Sequence, residues 1–309
     1  MTVIVRPFRP EEAARVSDIL RAALPYALTT PDSVLHTLRT ADPAERHQRL
    51  VAELDGEIAG VADAALLPDS REPGRAELSV RVDPARRGRG VGAALLRAAE
   101  AHLAAVGAWE VSGWAGDEPA ARAFARRHGY RSLDISHIQR LDLARVALPR
   151  PSAPPPGVAV RVVAEYENDP RPVHRADIEA TTIDPADVEE GYAEYEEWLE
   201  HTWGDPLFDR ELSTLVVVDG RIVSLAFVES DRDRRCLCAV TATVPERRGR
   251  GYATLAKAAA LRLARARGMT ESFTSNDSGN AAMLAINERF GYAICGGEVR
   301  QRRDLARVP

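Results

Sequence analysis

Lysine is almost missing from this chain of 309 residues: Lys257 stands alone among 41 basic residues, and every other one is arginine. Strings of arginine and glycine therefore arise more readily by chance here than in an ordinary sequence. Cysteine is scarce too. Three residues, an odd number, do not make a disulfide framework. Cys236 and Cys238 alternate along a strand-like run and share a face, which reads as buried free thiols. No histidines stand nearby at ligand spacing, so no metal site is expected. No apolar run is long enough to cross a bilayer. The opening Met1-Thr2-Val3-Ile4-Val5-Arg6-Pro7 lacks the apolar core of a signal peptide. Net charge is −5, which gives no overall attraction to nucleic acid. Apolar residues make up 45% and charged residues 28%, ordinary values for a globular protein. The length suits about two domains. A cytoplasmic enzyme or binding protein, with no nucleic-acid or membrane partner, is the expectation.

What the chain does hold is one short stretch twice. The first copy is Arg86-Arg87-Gly88-Arg89-Gly90-Val91-Gly92, and the second is Arg247-Arg248-Gly249-Arg250-Gly251-Tyr252-Ala253. Each follows a strand-like run and a proline (Pro84, Pro245), and each opens a helix rich in alanine and leucine. The first turn of a helix carries N–H groups without internal partners, and the helix dipole adds positive charge there. Glycine lets a ligand approach the backbone. A phosphate or pyrophosphate fits such a place, with arginine as a further clamp. Neither copy ends in the Lys-Ser/Thr of a P-loop, and neither has dinucleotide spacing.

The two loops belong to two copies of a longer unit. Asp55-Gly56 and Asp219-Gly220 each sit between apolar strand-like runs and predict hairpin turns. Phe290-Gly291-Tyr292 matches His128-Gly129-Tyr130, with glycine closing a helix. The loops are offset by about 161 residues, and so nearly are the Gly-Tyr pairs, which suits a duplicated domain. Helices are predicted near 11–24, 91–106, 118–127 and 252–267, and strands near 2–6, 76–82 and 132–143. The Pro-rich stretch 147–157 reads as a linker between a first domain, 1–146, and a second, 158–309.

Both loops satisfy R-x-x-G-x-G/A, and that pattern resembles the pyrophosphate loop of the GNAT acyl-CoA N-acyltransferases. The resemblance covers nearly the whole chain as two tandem domains. It implies an α/β fold in each, a twisted mixed sheet flanked by helices, whose central parallel strands splay to admit acetyl-CoA. Carried onto this sequence, the pantetheine arm would run along Val80-Arg81-Val82 and Thr241-Ala242-Thr243. The pyrophosphates would lie on Arg87, Gly88, Arg89, Gly90, Val91, Gly92 and Ala93, and on Arg248, Gly249, Arg250, Gly251, Tyr252, Ala253 and Thr254. The stretch 274–292 is similar to a further family block and adds Asn276 and Asn280 as cofactor contacts. Asn280 suits a helix cap as well. In the first half Asp117-Glu118-Pro119 stands at this place.

The implied reaction is acetyl transfer from acetyl-CoA to a primary amine of a small molecule by direct attack, without a metal. Many members place a tyrosine four residues before the closing Gly-aromatic pair, as acid for the departing thiolate. Ala125 and Asn287 stand there, so Asn287 enters the site without being such a donor. Glu77, on the strand before the first loop, is a candidate base or a solvent-facing carboxylate. Cys238 falls at the matching offset, and Glu229 is the second half's weaker candidate base. Acidic residues across 184–200 suit either a wall for a cationic amine or a solvated helix face. Tyr195 and Leu199 share a helix face with Tyr192. Both halves are expected to bind CoA, the second, with the fuller motif set, being the main catalytic one. A non-catalytic acyl-CoA sensor is the competing expectation, and so is one active domain with a degenerate partner. Two fused domains suit a monomer that mimics a dimer, or a homodimer.

Overall fold

Alternating apolar residues and Asp-Gly turns build most of the sheet. In the computed structural model, which describes residues 2–70, 72–149, 154–181 and 194–305, the elements are as follows. The first half runs β1 (Val3–Pro7), α1 (Ala13–Ala23), α2 (Pro31–Thr40), β2 (Gln48–Leu54), β3 (Glu57–Leu66), β4 (Arg75–Val82), α3 (Val91–Ala105), β5 (Glu110–Gly116), α4 (Pro119–Arg127) and β6 (Arg131–Asp142). The second half repeats the order with β7 (Val158–Val162), α5 (Arg171–Thr181), α6 (Tyr195–Trp198), β8 (Thr214–Val218), β9 (Arg221–Ser230), β10 (Arg235–Thr243), α7 (Tyr252–Ala266), β11 (Glu271–Asp277), α8 (Ala281–Phe290) and β12 (Ala293–Asp304). The acidic positions 184–190 and Tyr192 lie outside the described residues, as do 150–153 of the Pro-rich stretch.

Both hairpin turns form as the Asp-Gly pairs predict. Asp55 and Gly56 have φ of 53° and 86°, and Asp219 and Gly220 have 50° and 80°. That is the left-handed pair a two-residue hairpin loop needs, and it fits the twist of the strands it joins. Helix α2, which no strong pattern announces, starts with a reciprocal cap. Ser33 N donates to Thr30 Oγ1 at 3.1 Å and Thr30 N to Ser33 Oγ at 2.9 Å, with Pro31 as the first helical residue.

Two compact units result: Met1–His137 with Gly296–Pro309, and Ile138–Cys295. In the first unit β1 to β4 pair antiparallel in sequence order, and β4 lies parallel to β5. The strand on the other side of β5 is the end of β12, antiparallel from Glu298↔Gly116 to Asp304↔Glu110. In the second unit β7 to β10 pair antiparallel in order and β10 is parallel to β11. The end of β6 lies beyond β11. Each unit therefore takes its strand after the parallel pair from the other end of the duplication.

Period-two alternation divides the first unit's core between two sheet faces. Leu50, Ala52 and Leu54 pack under Leu95, Ala99 and Leu103 of α3. Val51 and Val61 turn the other way, towards Val16 and Ile19 of α1. The second unit's core joins Leu215, Leu225, Ala256, Ala260, Leu261 and Phe290. Among the described residues no helix is long and apolar enough to cross a membrane.

Candidate functional site

Each Arg/Gly loop is a short turn followed by two left-handed glycines. Gly88 and Gly90 have φ of 75° and 84°, and Gly249 and Gly251 have 75° and 81°. A Cβ at any of these four would meet no atom within 4 Å. The glycines therefore serve the backbone conformation and leave the space in front of the helix open. Gly90 and Gly251 occupy the N-cap positions of α3 and α7, with no side-chain cap. The first-turn N–H groups from Val91 to Ala93, and from Tyr252 to Thr254, are left for a ligand. The first loop is anchored at its entrance. Asp83 accepts from Ala85 N at 3.0 Å and from Arg15 Nη2 at 2.7 Å.

The loop arginines divide into anchored and open ones. Arg86 pairs with Glu57. Arg248 donates to Thr243 O at 3.1 Å and to Ala180 O at 3.4 Å, so its guanidinium fastens the loop to β10 and α5. Among the described residues, the side chains of Arg87, Arg89, Arg247 and Arg250 have no hydrogen bond or ion pair within the chain. They are the cations left to meet a pyrophosphate.

Beside each loop the two parallel strands part. Pairing of β4 with β5 runs from Arg75↔Glu110 to Glu77↔Ser112, and that of β10 with β11 from Arg235↔Glu271 to Leu237↔Phe273. Gly113 marks the point of divergence in the first unit, because a Cβ there would lie 1.9 Å from Leu78 O. Past it β4 exposes unpaired backbone groups to the gap, which suits a ligand with amides of its own. A cleft of about 820 Å³ opens there. It is lined by Val80 to Val82, the loop, Trp114, Leu96, Ala125 and Gln301. Arg81, on the strand expected to hold the arm, crosses the gap to donate to Trp114 O at 2.9 Å and Glu298 Oε1 at 3.2 Å. On β10, Thr241 Oγ1 is buried with no hydrogen-bond partner among the described residues, so the second arm strand has a polar atom to spare.

The carboxylates fall into an arrangement that the loop offset hides. Glu77 faces Ala65 across β3–β4, and Glu229 faces Leu237 across β9–β10. Strand β10 has a bulge between Cys238 and Val240 that β4 lacks. Before the bulge the register slips by one, so Leu237 and not Cys238 takes the place of Glu77, and Cys238 matches Leu78. Glu77 and Glu229 thus occupy the same cross-strand pair in the two units, one on each strand of it. That pair is the last before the parallel strands part. Glu77 is exposed and Glu229 half-buried. Burial, and after it the negative charge of Asp205, pushes Glu229 up to about 7. Phe227 shares its face and packs on Phe208, ring centres 5.1 Å apart, at the end of an aromatic row through Trp203 and Trp198. Tyr195 and Leu199 pack on the same core, while Glu194, Glu196, Glu197 and Glu200 are exposed.

Asn280 caps α8, accepting from Met283 N at 3.2 Å. Asn287 is wholly buried. Its Nδ2 donates to Asn276 Oδ1 at 2.6 Å and Gln139 Oε1 at 2.7 Å, and its Oδ1 accepts from Lys257 Nζ at 2.6 Å. Tyr292 shares a hydrogen bond of 2.6 Å with Ser272 Oγ, while Tyr130 donates to Glu100 Oε1 at 2.8 Å. Burial raises both phenols above their ordinary range. Sequence reasoning missed Lys257. Its singularity in an arginine chain was the signal available.

The sequence model of the Acetyltransferase (GNAT) family matches residues 13–130 and again 175–292. The chain is 32% identical to the mycothiol acetyltransferase of Nocardia farcinica (strain IFM 10152) over 92% of its length and 91% of that protein's. In structure it resembles a tandem GNAT protein from the clavulanic acid biosynthesis pathway, with a TM-score of 0.76 at 20% identity, covering 100% of this chain and 99% of that one. A GCN5-related N-acetyltransferase from Sphaerobacter thermophilus gives 0.70 at 22% identity, covering 98% and 95%.

Proposed function

The chain belongs to the acetyltransferase (GNAT) family and is an acyltransferase with two such domains, and from that premise we propose that it moves the acetyl group of acetyl-CoA to a primary amine of a small molecule. The observation that carries this reading is the repeated meeting of an uncapped, glycine-opened helix with the unpaired edge of a diverging strand. The helix ends offer N–H groups to a pyrophosphate, and the strand edges offer hydrogen bonds to the pantetheine arm. Both halves bind the donor, and the sequence junction between them lies at 147–157. We place the main chemistry in the second half.

There Glu229 is the base. A carboxyl poised near neutral pH is ionised often enough to take a proton and basic enough to hold it. It stands beside the aromatic row, where an amine can reach the thioester carbonyl from the face opposite α7. Attack forms the C–N bond, the C–S bond breaks, and Glu229 takes the proton the amine loses. Relatives named as mycothiol acetyltransferases support an acceptor from mycothiol chemistry, and we place the reaction in the cytoplasm. The test is acetyl-CoA turnover with a panel of primary amines that includes mycothiol-type aminosugars. Release of free thiol dependent on one acceptor class supports the reading. Tight CoA binding with no acetylated product from any amine refutes the proposed acceptor.

A further inference from the structure

Lys257 is the one position where the chain keeps an ammonium in place of a guanidinium. Arginine holds its charge at any working pH, whereas a buried lysine can give up a proton. Lys257 lies on the inward side of α7 and is wholly buried. Removing an ammonium from water costs several kcal/mol unless a counter-charge meets it. Among the described residues none does. Its hydrogen-bond partner is the neutral Oδ1 of Asn287 at 2.6 Å, and the Tyr292 ring centre lies 4.9 Å from Nζ. The titratable groups around it are the thiols of Cys236 and Cys238 on β10 and the phenol of Tyr292. Cys236 and Tyr292 are held in their neutral forms by burial. Gln139, Asn276 and Ser272 complete the surroundings without charge. A donor of positive charge, held firmly and left without an anion, suits negative charge that arrives with a ligand or forms on it.

Its place relative to the gap follows from the duplication. Lys257 follows Gly251 by the spacing at which Leu96 follows Gly90. Asn287 precedes Gly291 as Ala125 precedes Gly129. Gln139 follows Tyr130 as Gln301 follows Tyr292. Leu96, Ala125 and Gln301 all line the first unit's cleft. The second unit thus has lysine, asparagine and glutamine at the points where the first has a cleft wall.

We infer that Lys257, positioned by Asn287, is a catalytic residue of the second half that gives its Nζ proton to the CoA sulfur as the thioester opens. The inference rests on the reading that this half binds acetyl-CoA. The amine nitrogen attacks the carbonyl carbon, and the electron pair of the breaking C–S bond goes to sulfur. Sulfur takes the proton from Nζ, and Glu229 takes the proton the amine loses. Leu237, which faces Glu229, alternates with Cys238, whose Sγ lies 3.8 Å from Ser272 Oγ on the Lys257 side. Acid and base therefore approach the thioester from opposite faces of the sheet. One proton enters and one leaves, so the proton count balances once the proton held by Glu229 is lost and Lys257 is reprotonated between turnovers. Burial lowers the pKa of Lys257, which eases release of that proton.

The test uses the full chain carrying Gly90→Glu, so that only the second half turns over. In that background Lys257→Met keeps length and apolar bulk and removes the proton. Expected are a fall in kcat of about 100-fold or more, CoA affinity by calorimetry within a few-fold, and loss of the alkaline limb of the pH profile. The fall should shrink when p-nitrothiophenyl acetate replaces acetyl-CoA, because that thiolate leaves without a proton. Asn287→Ala, which leaves the ammonium in place but unheld, is the second variant should Lys257→Met fail to fold. It should lower kcat and displace the same limb. An unchanged kcat and alkaline limb, or equal losses with both donors, would overturn the inference alone. Absence of acetyl-CoA binding in the Gly90→Glu background would instead overturn the cofactor reading of the second half, and this inference with it.

Discussion

Replacing Gly90 or Gly251 by glutamate puts a carboxylate where each loop should hold a pyrophosphate. The space is open, since a Cβ at either position meets nothing within 4 Å. The cost to folding is then the backbone alone. A φ of 84° or 81° suits glycine, and another residue there loses roughly 1–2 kcal/mol, or a few degrees of Tm. The cost to binding is larger and electrostatic. At about 4 Å and an effective dielectric constant near 20, two like charges repel by about 4 kcal/mol. That raises Kd about 10³-fold. Gly90→Ala and Gly251→Ala separate the two effects, because they keep the strain and omit the charge. The assay is calorimetric titration with acetyl-CoA at moderate ionic strength, where a surface charge is still felt. Two sites are expected in the parent protein, one in each glutamate variant, and two in each alanine variant with similar Tm loss. Wild-type affinity in both glutamate variants would refute the placement of the pyrophosphates. Loss of binding in only one variant would leave a single working site and make the other half scaffold.

Glu229→Gln should lower kcat about 100-fold or more and erase an acid limb centred near pH 7 in the parent. The sign on stability is opposite. A carboxyl raised to about 7 from its ordinary value near 4.5 makes ionisation unfavourable to the fold as pH climbs through that window. Urea titration at pH 8 should therefore find Glu229→Gln at least as stable as the parent, and a clear loss would show that its role is structural. Gly113→Ala must move β5 away from Leu78 O, so calorimetry should show the first-half site weakened while the second keeps its affinity. Leu95→Ala removes a fully buried side chain under the first unit's sheet and should cost about 2–5 kcal/mol in a denaturant titration, with the second-half site intact in the folded protein.

Local chemistry made much of this protein legible in its sequence. Asp55-Gly56 and Asp219-Gly220 form their hairpins because only a few residue types accept left-handed φ, and the glycines of both loops announce themselves for the same reason. The duplication was visible because its markers, loop glycines and Gly-Tyr helix ends, depend on neighbours in the chain. The rest depends on residues distant in sequence. A single bulge in β10 moves Leu237 into the place of Glu77 and sets Glu229 across from it, and no local signal reports which strand carries the extra residue. The strand beside β5 comes from Glu298–Asp304 because strand pairing obeys contact in space, and several runs share the same alternating pattern. Arg248 reads like Arg87 in sequence, yet the carbonyls of Thr243 and Ala180 claim it. Lys257 stands out in sequence only as the single lysine, and it is the packing of α7 against β10 and α8 that makes it a buried charge with no counter-ion among the described residues.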